Sequence, residues 1–371
     1  MQIVVAGDAA DSTAMLQQWL SDHVLSANVR IVPLGSLADQ TPRLRPQAIV
    51  LILSLRDGVE QALDIVRDIC DTAPTRVLVV GPVVDAKWML QLLREGVFQY
   101  IVQDDISTEL SEALGRLGRL DRESPSDRKF GNLIAVVGAG GGSGVSTLAA
   151  NLAVGLSQND GRCGLIDLRL GSGDLASMLG VQPSFTLADF CQNLNRMDDK
   201  MFHQCLETHQ SGVQLLASPN SYRDVRMVTS RGIRKAFGMA RSKFDFVVVD
   251  LECSFDLARS IPLLQADTVL LVVRLDIASV RRAQQLLEFF ADLELNLDCV
   301  SLIIGREGPG GLRIANVERT LGMRASFVVP DDSRHATRAI NRGRPVILDS
   351  PRTAIARRIA EISRHLKEGR S

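Results

Sequence analysis

Long apolar runs and an excess of charge of one sign are both missing from this sequence of 371 residues. No apolar run approaches the roughly 20 residues that a membrane-spanning helix needs, so no such helix is predicted. The 42 basic residues face 43 acidic ones, and the net charge of −1 gives no reason to expect wholesale binding to nucleic acid. Residues 1–6 enter a short strand candidate without the basic region of a secretory signal, so we expect no signal peptide.

Cysteine is sparse, with six residues scattered along mostly apolar segments. This distribution favours buried thiols in a reducing cytosol. The only grouping that resembles a metal-ligand cluster is His203, Cys205 and His209. Offsets of two and six residues do not share one face of a helix, so we expect no structural metal site.

The most informative absence is a lysine in residues 138–147, which read G-A-G-G-G-S-G-V-S-T. These residues follow a strand candidate at 133–137 and open a helical segment at 145–156, which is the context of a phosphate-binding loop. Small residues let backbone N–H groups and the helix N-terminus face phosphate oxygens. The pattern normally places lysine before the Ser or Thr that holds Mg²⁺, but here Val145 precedes Ser146. The loop predicts a retained fold with an altered use of ATP.

A dinucleotide-binding turn is the alternative for the same glycine-rich run. Its G-x-G-x-x-G spacing requires a third glycine at position 143 or 145, depending on which glycine begins it. Ser143 and Val145 fail in the two registers, so NAD is not expected as a cofactor.

Strand and helix patterns alternate in two series, separated by a charged stretch at residues 119–129 that contains Ser-Pro-Ser. The strand candidates of the first series are residues 2–6, 29–33, 48–53, 76–80 and 100–102, with helical patterns at 58–72, 85–95 and 108–117. Those of the second are residues 133–137, 164–167, 213–216, 246–250, 268–273, 299–304 and 325–329. The alternation predicts an α/β chain with two doubly wound parallel-sheet domains, at 1–120 and 131–371, joined by a linker at 121–130.

The first series resembles the receiver domain of response regulators. In that family an aspartate ends the third strand, a Thr or Ser the fourth and a Lys the fifth, while an acidic pair follows the first. The matching positions here are Ser54, Gly81 and Gln103, and only Asp8 remains of the acidic pair. Phosphoryl acceptance needs a carboxylate nucleophile beside Mg²⁺. The resemblance therefore implies a flavodoxin-like pseudo-receiver that serves as a docking or dimerisation surface, and Ser54 argues against a response regulator that controls the second domain.

The second series is similar to the MinD/ParA ATPases, whose loop reads K-G-G-x-G-K-[ST]-T. The loop matches this motif at Gly141, Gly142, Gly144, Ser146 and Thr147. Gly140 stands at the position of the family's signature lysine, and Val145 at that of the general P-loop lysine. The family's two loop cations are therefore both missing from their usual positions.

Later segments continue the resemblance. Asp167 matches the first carboxylate of the family's D-x-D pattern, but Arg169 replaces the second, which orients the attacking water. Asp250 resembles the Walker B carboxylate that holds Mg²⁺ through water. Arg306 keeps the arginine of an N-R pair near the adenine, while Gly305 replaces the asparagine, and P-D-D follows at residues 330–332.

The resemblance implies a set of site residues. The nucleotide-binding set is Gly140, Gly141, Gly142, Ser143, Gly144, Val145, Ser146, Thr147, Arg169 and Arg306. Ser146 and Asp250 would hold Mg²⁺, and Asp167 and Asp250 would act in catalysis only if the domain hydrolyses ATP. ATP with Mg²⁺ is the implied cofactor, and the absence of both lysines weighs against it.

The segments at 186–190, 213–219 and 272–283 look like the TadZ/CpaE branch of this family, as does the order of the two domains. That branch helps to place and assemble the tight-adherence (Tad/Flp) pilus and secretion apparatus at the cell pole. The resemblance implies a cytoplasmic homodimeric scaffold, at the pole or peripheral to the inner membrane, that contacts other pilus components, hydrolyses little ATP and does not bind DNA. The alternative is an active ATPase switch that cycles between monomer and dimer.

Three further features each have two interpretations. Arg169 either reaches toward the γ-phosphate in place of the lysine charge or is solvated or paired with Asp174, which we favour. Residues 352–366 form either a membrane-surface helix or, as we expect, a helix packed on the domain. The third feature is a basic group that either contacts DNA phosphates or, as we expect, forms a charged, solvated face. This basic group consists of Arg334, Arg338, Arg342 and Arg344.

Overall fold

The computed structural model divides the chain into two compact units, Met1–Lys129 and Phe130–Ser371. The first unit is described at residues 2–7, 10–23, 28–44, 46, 48–53, 59–72, 75–84, 88, 92, 95, 97–103, 106, 109–110 and 112–114. The second is described at residues 131–158, 161–252, 263, 265–292 and 295–368. The linker prediction, Asp8, Ser54 and most of the helical patterns at 85–95 and 108–117 lie outside the described residues.

The first unit contains a five-stranded parallel sheet. Its strands are β1 (Gln2–Gly7), β2 (Asn28–Ile31), β3 (Ala48–Ile52), β4 (Arg76–Gly81) and β5 (Val97–Val102), in the order β2-β1-β3-β4-β5. Its helices are α1 (Ala10–His23), α2 (Leu37–Leu44) and α3 (Val59–Thr72). Every residue of β3 is buried, because apolar side chains cover both faces of the sheet. This strand order is the flavodoxin-like version of a doubly wound sheet.

The second unit contains an eight-stranded sheet. Its strands are β6 (Asn132–Gly138), β7 (Cys163–Leu168), β8 (Glu207–Thr208), β9 (Gln214–Leu216), β10 (Phe246–Leu251), β11 (Thr268–Val273), β12 (Val300–Glu307) and β13 (Ala325–Pro330). The strand order is β13-β12-β11-β6-β10-β7-β9-β8, and only the β8–β9 pair is antiparallel among the described strands. The loop between β6 and the following helix therefore lies at the centre of the carboxyl edge, where parallel α/β sheets place their ligands.

Helices cover both faces of this sheet. They are α4 (Val145–Ser157), α5 (Leu175–Leu179), α6 (Leu187–Gln192), α7 (Asp199–Gln204), α8 (Tyr222–Val225), α9 (Ser230–Lys243), α10 (Ile277–Asp292), α11 (Ile314–Leu321), α12 (Ser333–Asn341), α13 (Val346–Asp349) and α14 (Ala354–Glu368). Two apolar clusters, one on each face, form the core.

The C-terminal helix α14 is a packed helix of the domain. Ile355, Ile359 and Ile362 are buried in the same apolar cluster as helix α4. The two helices approach so closely that a Cβ atom added at Gly155 would overlap the Ser363 hydroxyl. The packing expectation for residues 352–366 is confirmed, and the apolar stripe of a membrane-surface helix is not available. None of the helices in the described ranges is long and apolar enough to cross a membrane.

Two arginines of the predicted basic face also have a structural role. Arg338 and Arg342 pair with the two carboxylate oxygens of Asp349 at 3.0 and 3.1 Å. A hydrogen bond from the Ser350 hydroxyl and these two guanidinium groups hold the pKa of Asp349 at about 2. Both arginines are largely exposed, as expected for a charged, solvated face, and they also join helices α12 and α13.

The T-L-A-D-F segment has a local structural explanation. Thr186 caps helix α6, and both its backbone N–H and its hydroxyl donate to the Asp189 carboxylate at 2.8 Å. This capping box fixes the start of a short buried helix. The segment that suggested a family branch therefore stabilises a helix terminus.

Candidate nucleotide site

The glycine-rich loop has a backbone that only glycine adopts readily. Gly140, Gly142 and Gly144 have φ angles of 127°, 74° and 86°. Such positive values are strained for residues that carry a Cβ. The Ser143 hydroxyl donates to the Gly140 carbonyl at 2.8 Å and closes the turn, and helix α4 begins at Val145. The strand–loop–helix arrangement is the one the sequence predicts, with amide groups at a helix N-terminus.

Val145 stands at the position of the P-loop lysine and brings no polar group to it. Its side chain is 5% exposed and belongs to the apolar cluster beneath the loop. A Cβ added at Gly138 would overlap its methyl group, which places the valine against the end of β6. This position therefore contributes packing to helix α4 and no charge to the loop.

Two buried carboxylates lie beside the loop. Asp167 on β7 and Asp250 on β10 are direct neighbours in the sheet register and are 1% and 0% exposed. Burial, reinforced by the charge of Asp250, raises the pKa of Asp167 to about 7, although the amides of Arg169 and Leu175 donate to it at 3.1 and 3.3 Å. Burial also raises the pKa of Asp250 to about 6, opposed by the Ser146 hydroxyl and the Arg169 charge. The structure thus brings the two predicted acidic residues together.

Arg169 turns inward, toward the loop. Its Nη1 atom donates to the Ser146 hydroxyl at 3.3 Å. Its charge lowers the pKa of both Asp167 and Asp250. The expectation that Arg169 is solvated or pairs with Asp174 is wrong, because the half-buried guanidinium lies between the P-loop hydroxyl and two buried acids.

Arg306 joins the loop to the turn after β13. Its guanidinium contacts Asp331 Oδ1 at 3.2 Å, the Gly142 carbonyl at 3.1 Å and the Ser333 hydroxyl at 2.8 Å. Its φ of 54° makes it the one non-glycine residue in the described ranges with a left-handed backbone. The predicted arginine therefore reaches the phosphate loop itself, and the P-D-D segment meets it there.

A cavity of about 290 Å³ opens beside the loop. One wall is the loop itself, and the opposite wall is apolar and includes Ile303, Ile340, Ile355 and Ile359. Arg306 and Asp331 supply polar groups. An apolar cavity with a few polar groups is typical of a small-molecule site, although this volume is at the lower end of the usual range.

Gly305 explains one departure from the family pattern. A Cβ added there would lie 2.8 Å from a Val272 methyl group and 2.9 Å from the Ser143 carbonyl oxygen. These contacts are shorter than carbon atoms tolerate, so the asparagine of the family's N-R pair does not fit this packing.

Two arginines beside the loop were not in the predicted site. The Arg282 guanidinium occupies the space where a Cβ at Gly140 would be, and Arg274 Nη1 lies 3.5 Å from the corresponding point at Gly142. Arg274 directly follows β11, and Arg282 lies on helix α10. The Ser279 hydroxyl in the first turn of that helix contacts the Ala139 carbonyl at 3.4 Å and fixes the approach. The sequence signal for these arginines was the basic run at residues 274–282, R-L-D-I-A-S-V-R-R. The spacing of that run did not show that it packs against the glycine-rich loop.

The residues predicted to hold Mg²⁺ do not fit a divalent cation as they are arranged. The Ser146 hydroxyl already faces the Arg169 guanidinium at 3.3 Å. The buried Asp250 carboxylate already faces the Ser146 hydroxyl and the Arg169 charge, both of which lower its pKa. Within the described ranges, no group of three His, Cys, Asp or Glu side chains is placed to bind a metal ion.

Comparison with known proteins agrees with this architecture. The family model described as an AAA domain matches residues 131–299. The septum site-determining protein MinD of Escherichia coli K12 is 26% identical over 231 residues, which cover 58% of this chain and 84% of MinD.

Solved structures give the same result. A ParA family ATPase from Chlorobium tepidum TLS superimposes with a TM-score of 0.60 at 26% identity, covering 63% of this chain and 99% of that one. MinD from Pyrococcus horikoshii OT3, complexed with Mg-ADP, gives 0.56 at 19% identity and covers 63% and 95%.

These findings confirm the α/β parallel-sheet fold class. The receiver-like and TadZ/CpaE assignments stay predictions. The strand order, the glycine-rich loop and the matches together show that the second unit is similar in sequence and fold to P-loop ATPases of the MinD/ParA type.

Proposed function

We propose that this chain is a polar localisation and assembly scaffold for a Tad/Flp-type pilus apparatus. In this proposal the MinD/ParA-type domain binds a nucleotide and self-associates with little or no hydrolysis. One observation supports nucleotide binding with little hydrolysis. At the loop, a buried Val145 stands where the lysine would be, and a different cation, Arg169, faces Ser146.

Slow hydrolysis follows from the groups that are missing. The P-loop lysine places positive charge against the β- and γ-phosphates, where it stabilises the transition state. Loss of one such interaction costs on the order of 10²–10³ in rate. Here Val145 and Gly140 occupy both lysine positions, and Arg169 occupies that of the water-orienting carboxylate. Stabilisation of charge and activation of water are therefore impaired together.

Nucleotide binding is supported by what remains. The loop keeps its three positive-φ glycines, and a cavity with an apolar wall adjoins it. The loop amides suit phosphate oxygens, and the cavity suits a base or nucleoside.

The remaining elements come from the relatives and from the TadZ/CpaE resemblance. A solved relative is a MinC:MinD complex from Aquifex aeolicus, with a TM-score of 0.54 at 19% identity. By analogy, we propose that this domain forms a homodimer through its P-loop face and recruits pilus components. We place it in the cytoplasm, at the cell pole or peripheral to the inner membrane, and do not propose DNA as a partner.

The runner-up is an ATPase switch that cycles between monomer and dimer. Its support is the close placement of Ser146, Asp167 and Asp250. The two proposals differ in whether nucleotide turnover controls association.

Calorimetry of ATP and ADP binding, with light scattering in parallel, separates them. We expect micromolar binding, a dimer whose stability does not depend on nucleotide, and hydrolysis close to background. ATP-driven dimerisation with steady turnover would favour the switch, and no binding would remove the nucleotide from the proposal.

A cellular experiment tests the scaffold role. Deletion of the gene should abolish surface pili and polar foci of the other components. Asp250→Asn should restore both, because a scaffold needs no hydrolysis, whereas a switch should fail to recover. Restoration of pili by the first unit alone would contradict a role for the P-loop domain.

A further inference from the structure

A positive group already occupies the environment in which P-loop NTPases place their metal ion. In those proteins Mg²⁺ is held by the P-loop Ser or Thr and by a Walker B aspartate. Here the Arg169 Nη1 atom is 3.3 Å from the Ser146 hydroxyl. The guanidinium also interacts electrostatically with Asp250, the aspartate that ends the Walker B-like strand.

One buried donor at this place lacks an acceptor. Arg169 Nε has no hydrogen bond of ordinary geometry to the described residues. Buried polar groups in folded proteins are nearly always paired, and exceptions call for an explanation. A phosphate oxygen held by the neighbouring loop would accept from this donor and provides one.

We propose that the Arg169 guanidinium is the resident cation of this P-loop, so that the domain binds the phosphates of a nucleoside di- or triphosphate without a divalent metal ion. The inference rests on the nucleotide binding proposed above. It identifies the cation that accompanies the phosphates.

The chemistry of the two cations supports this assignment. A guanidinium is charged at every relevant pH, and its planar fork matches pairs of phosphate oxygens. A divalent ion between Ser146 and Asp250 would have to approach this fixed positive charge, and repulsion at short range in a partly buried site is strong. Since the acidic groups around the site are the same ones that would attract Mg²⁺, the Arg169 charge removes much of the electrostatic reason for the metal.

The test is titration of the full chain with ADP and with ATP, once with excess Mg²⁺ and once with EDTA. We expect wild-type dissociation constants that agree within about threefold between the two buffers. Arg169→Ala should weaken binding in EDTA by about tenfold or more, as expected for a lost charge-assisted contact. Arg169→Asp, which restores a carboxylate at this position, should bind only with Mg²⁺.

Control variants separate this role from a general effect of charge. Arg357→Ala removes an exposed guanidinium from helix α14 and should leave both constants unchanged. Arg169→Lys keeps the charge without the fork and should bind in EDTA at an intermediate strength. Circular dichroism establishes that each variant is folded.

The outcomes distinguish the inference from the proposed function. Wild-type binding that requires Mg²⁺ would overturn the role of Arg169 and leave the nucleotide site intact. No wild-type binding in either buffer would overturn both. The wild-type comparison decides the matter even if an Arg169 variant fails to fold.

Discussion

The carboxyl edges of the two sheets differ in the residues they carry. The positions compared are those that match functional residues in the families that each unit resembles. In the first unit, Gly81 ends β4 beneath Tyr100, and a Cβ added there would overlap the phenol oxygen. The Tyr100 hydroxyl donates to the Pro82 carbonyl at 2.6 Å, and Gln103 is exposed. These positions carry packing and neutral hydrogen bonds.

In the second unit the corresponding edge is rich in guanidinium groups. Arg306 and Arg169 bond to the loop, and Arg274 and Arg282 lie against its glycines. The loop has no lysine of its own, yet guanidinium groups from other strands and from helix α10 lie beside it. The difference is that packing and neutral hydrogen bonds form the first edge, whereas at the second edge charged side chains from several elements meet at one loop.

Two spectroscopic signals used together distinguish unfolding of the first unit from unfolding of the second. Both tryptophans of the chain, Trp19 and Trp88, lie in the first unit, so tryptophan fluorescence reports on that unit alone. Circular dichroism reports on both. Urea unfolding followed by the two signals therefore assigns each change in stability to one unit.

The largest expected effect is at the apolar wall of the cavity. Ile359 is 1% exposed, and Ile359→Ala should lower the free energy of unfolding of the second unit by about 2–5 kcal/mol. The tryptophan transition should stay in place. Leu297→Ala, at a side chain that is 42% exposed, is the control and should change stability by less than about 0.5 kcal/mol. A matching shift of the tryptophan signal would show that the units do not unfold independently.

The next effect is a pH dependence of stability. Burial raises the pKa of Asp167 from 3.8 to about 7, so the folded chain holds this proton more tightly than the unfolded chain. The free energy of unfolding should therefore fall as pH rises from about 4 to about 7, by at most roughly 4 kcal/mol from this residue.

Asp167→Asn should flatten this slope, because the amide has no proton to lose in that range. Urea unfolding followed by circular dichroism at several pH values measures it. Asparagine also alters two backbone hydrogen bonds and so changes the free energy of unfolding at every pH. The test is therefore the slope of this free energy against pH and not its absolute value. An unchanged slope would mean that Asp167 titrates normally in the folded protein.

A smaller effect is expected at Gly305. Gly305→Ala places a methyl group against Val272 and the Ser143 carbonyl, and overpacking of this kind costs about 1–3 kcal/mol. Thermal unfolding measures the loss. Gly310→Ala is a control for the space alone, since nothing lies within 4 Å of a Cβ there, although its φ of 85° adds backbone strain. Equal losses in the two variants would contradict the packing explanation for the missing asparagine.

The smallest effect is in the first unit. Tyr100→Phe removes the hydrogen bond to Pro82 and should destabilise that unit by about 1 kcal/mol. Tryptophan fluorescence should report this change directly, because Trp88 packs edge-on against Tyr100 with ring centroids 5.6 Å apart. Nucleotide affinity should be unaffected, and a change in affinity would show that Tyr100 influences the nucleotide site of the second unit.

Much of the fold was predictable because the strands are continuous apolar runs. The runs before the loop, at Asp167 and at Asp250 all form strands of the central sheet, in register. One strand boundary and one whole strand were harder to predict. β5 begins at Val97, before the polar Gln99 that interrupts its apolar pattern. β8 has only two residues, too few to show an alternation of apolar and polar side chains.

The site was predictable only where its residues are consecutive or end a strand. The loop and both carboxylates belong to this class. The direction of Arg169 depends on a side-chain conformation, and the approach of Arg282 depends on how helix α10 packs, so neither follows from spacing. The apolar wall was missed because the stripe of helix α14 looks the same whether it fills a core or lines a cavity.

The position of helix α14 has a consequence for its own motion. Because Ile355 and Ile359 line the cavity, we expect a ligand there to bind only when this helix is docked. A ligand at 100 times its dissociation constant then opposes undocking by about 2.7 kcal/mol, through mass action alone. Amide hydrogen exchange in helix α14 should slow by the corresponding factor, so a helix far from the loop in sequence reports whether the loop is occupied.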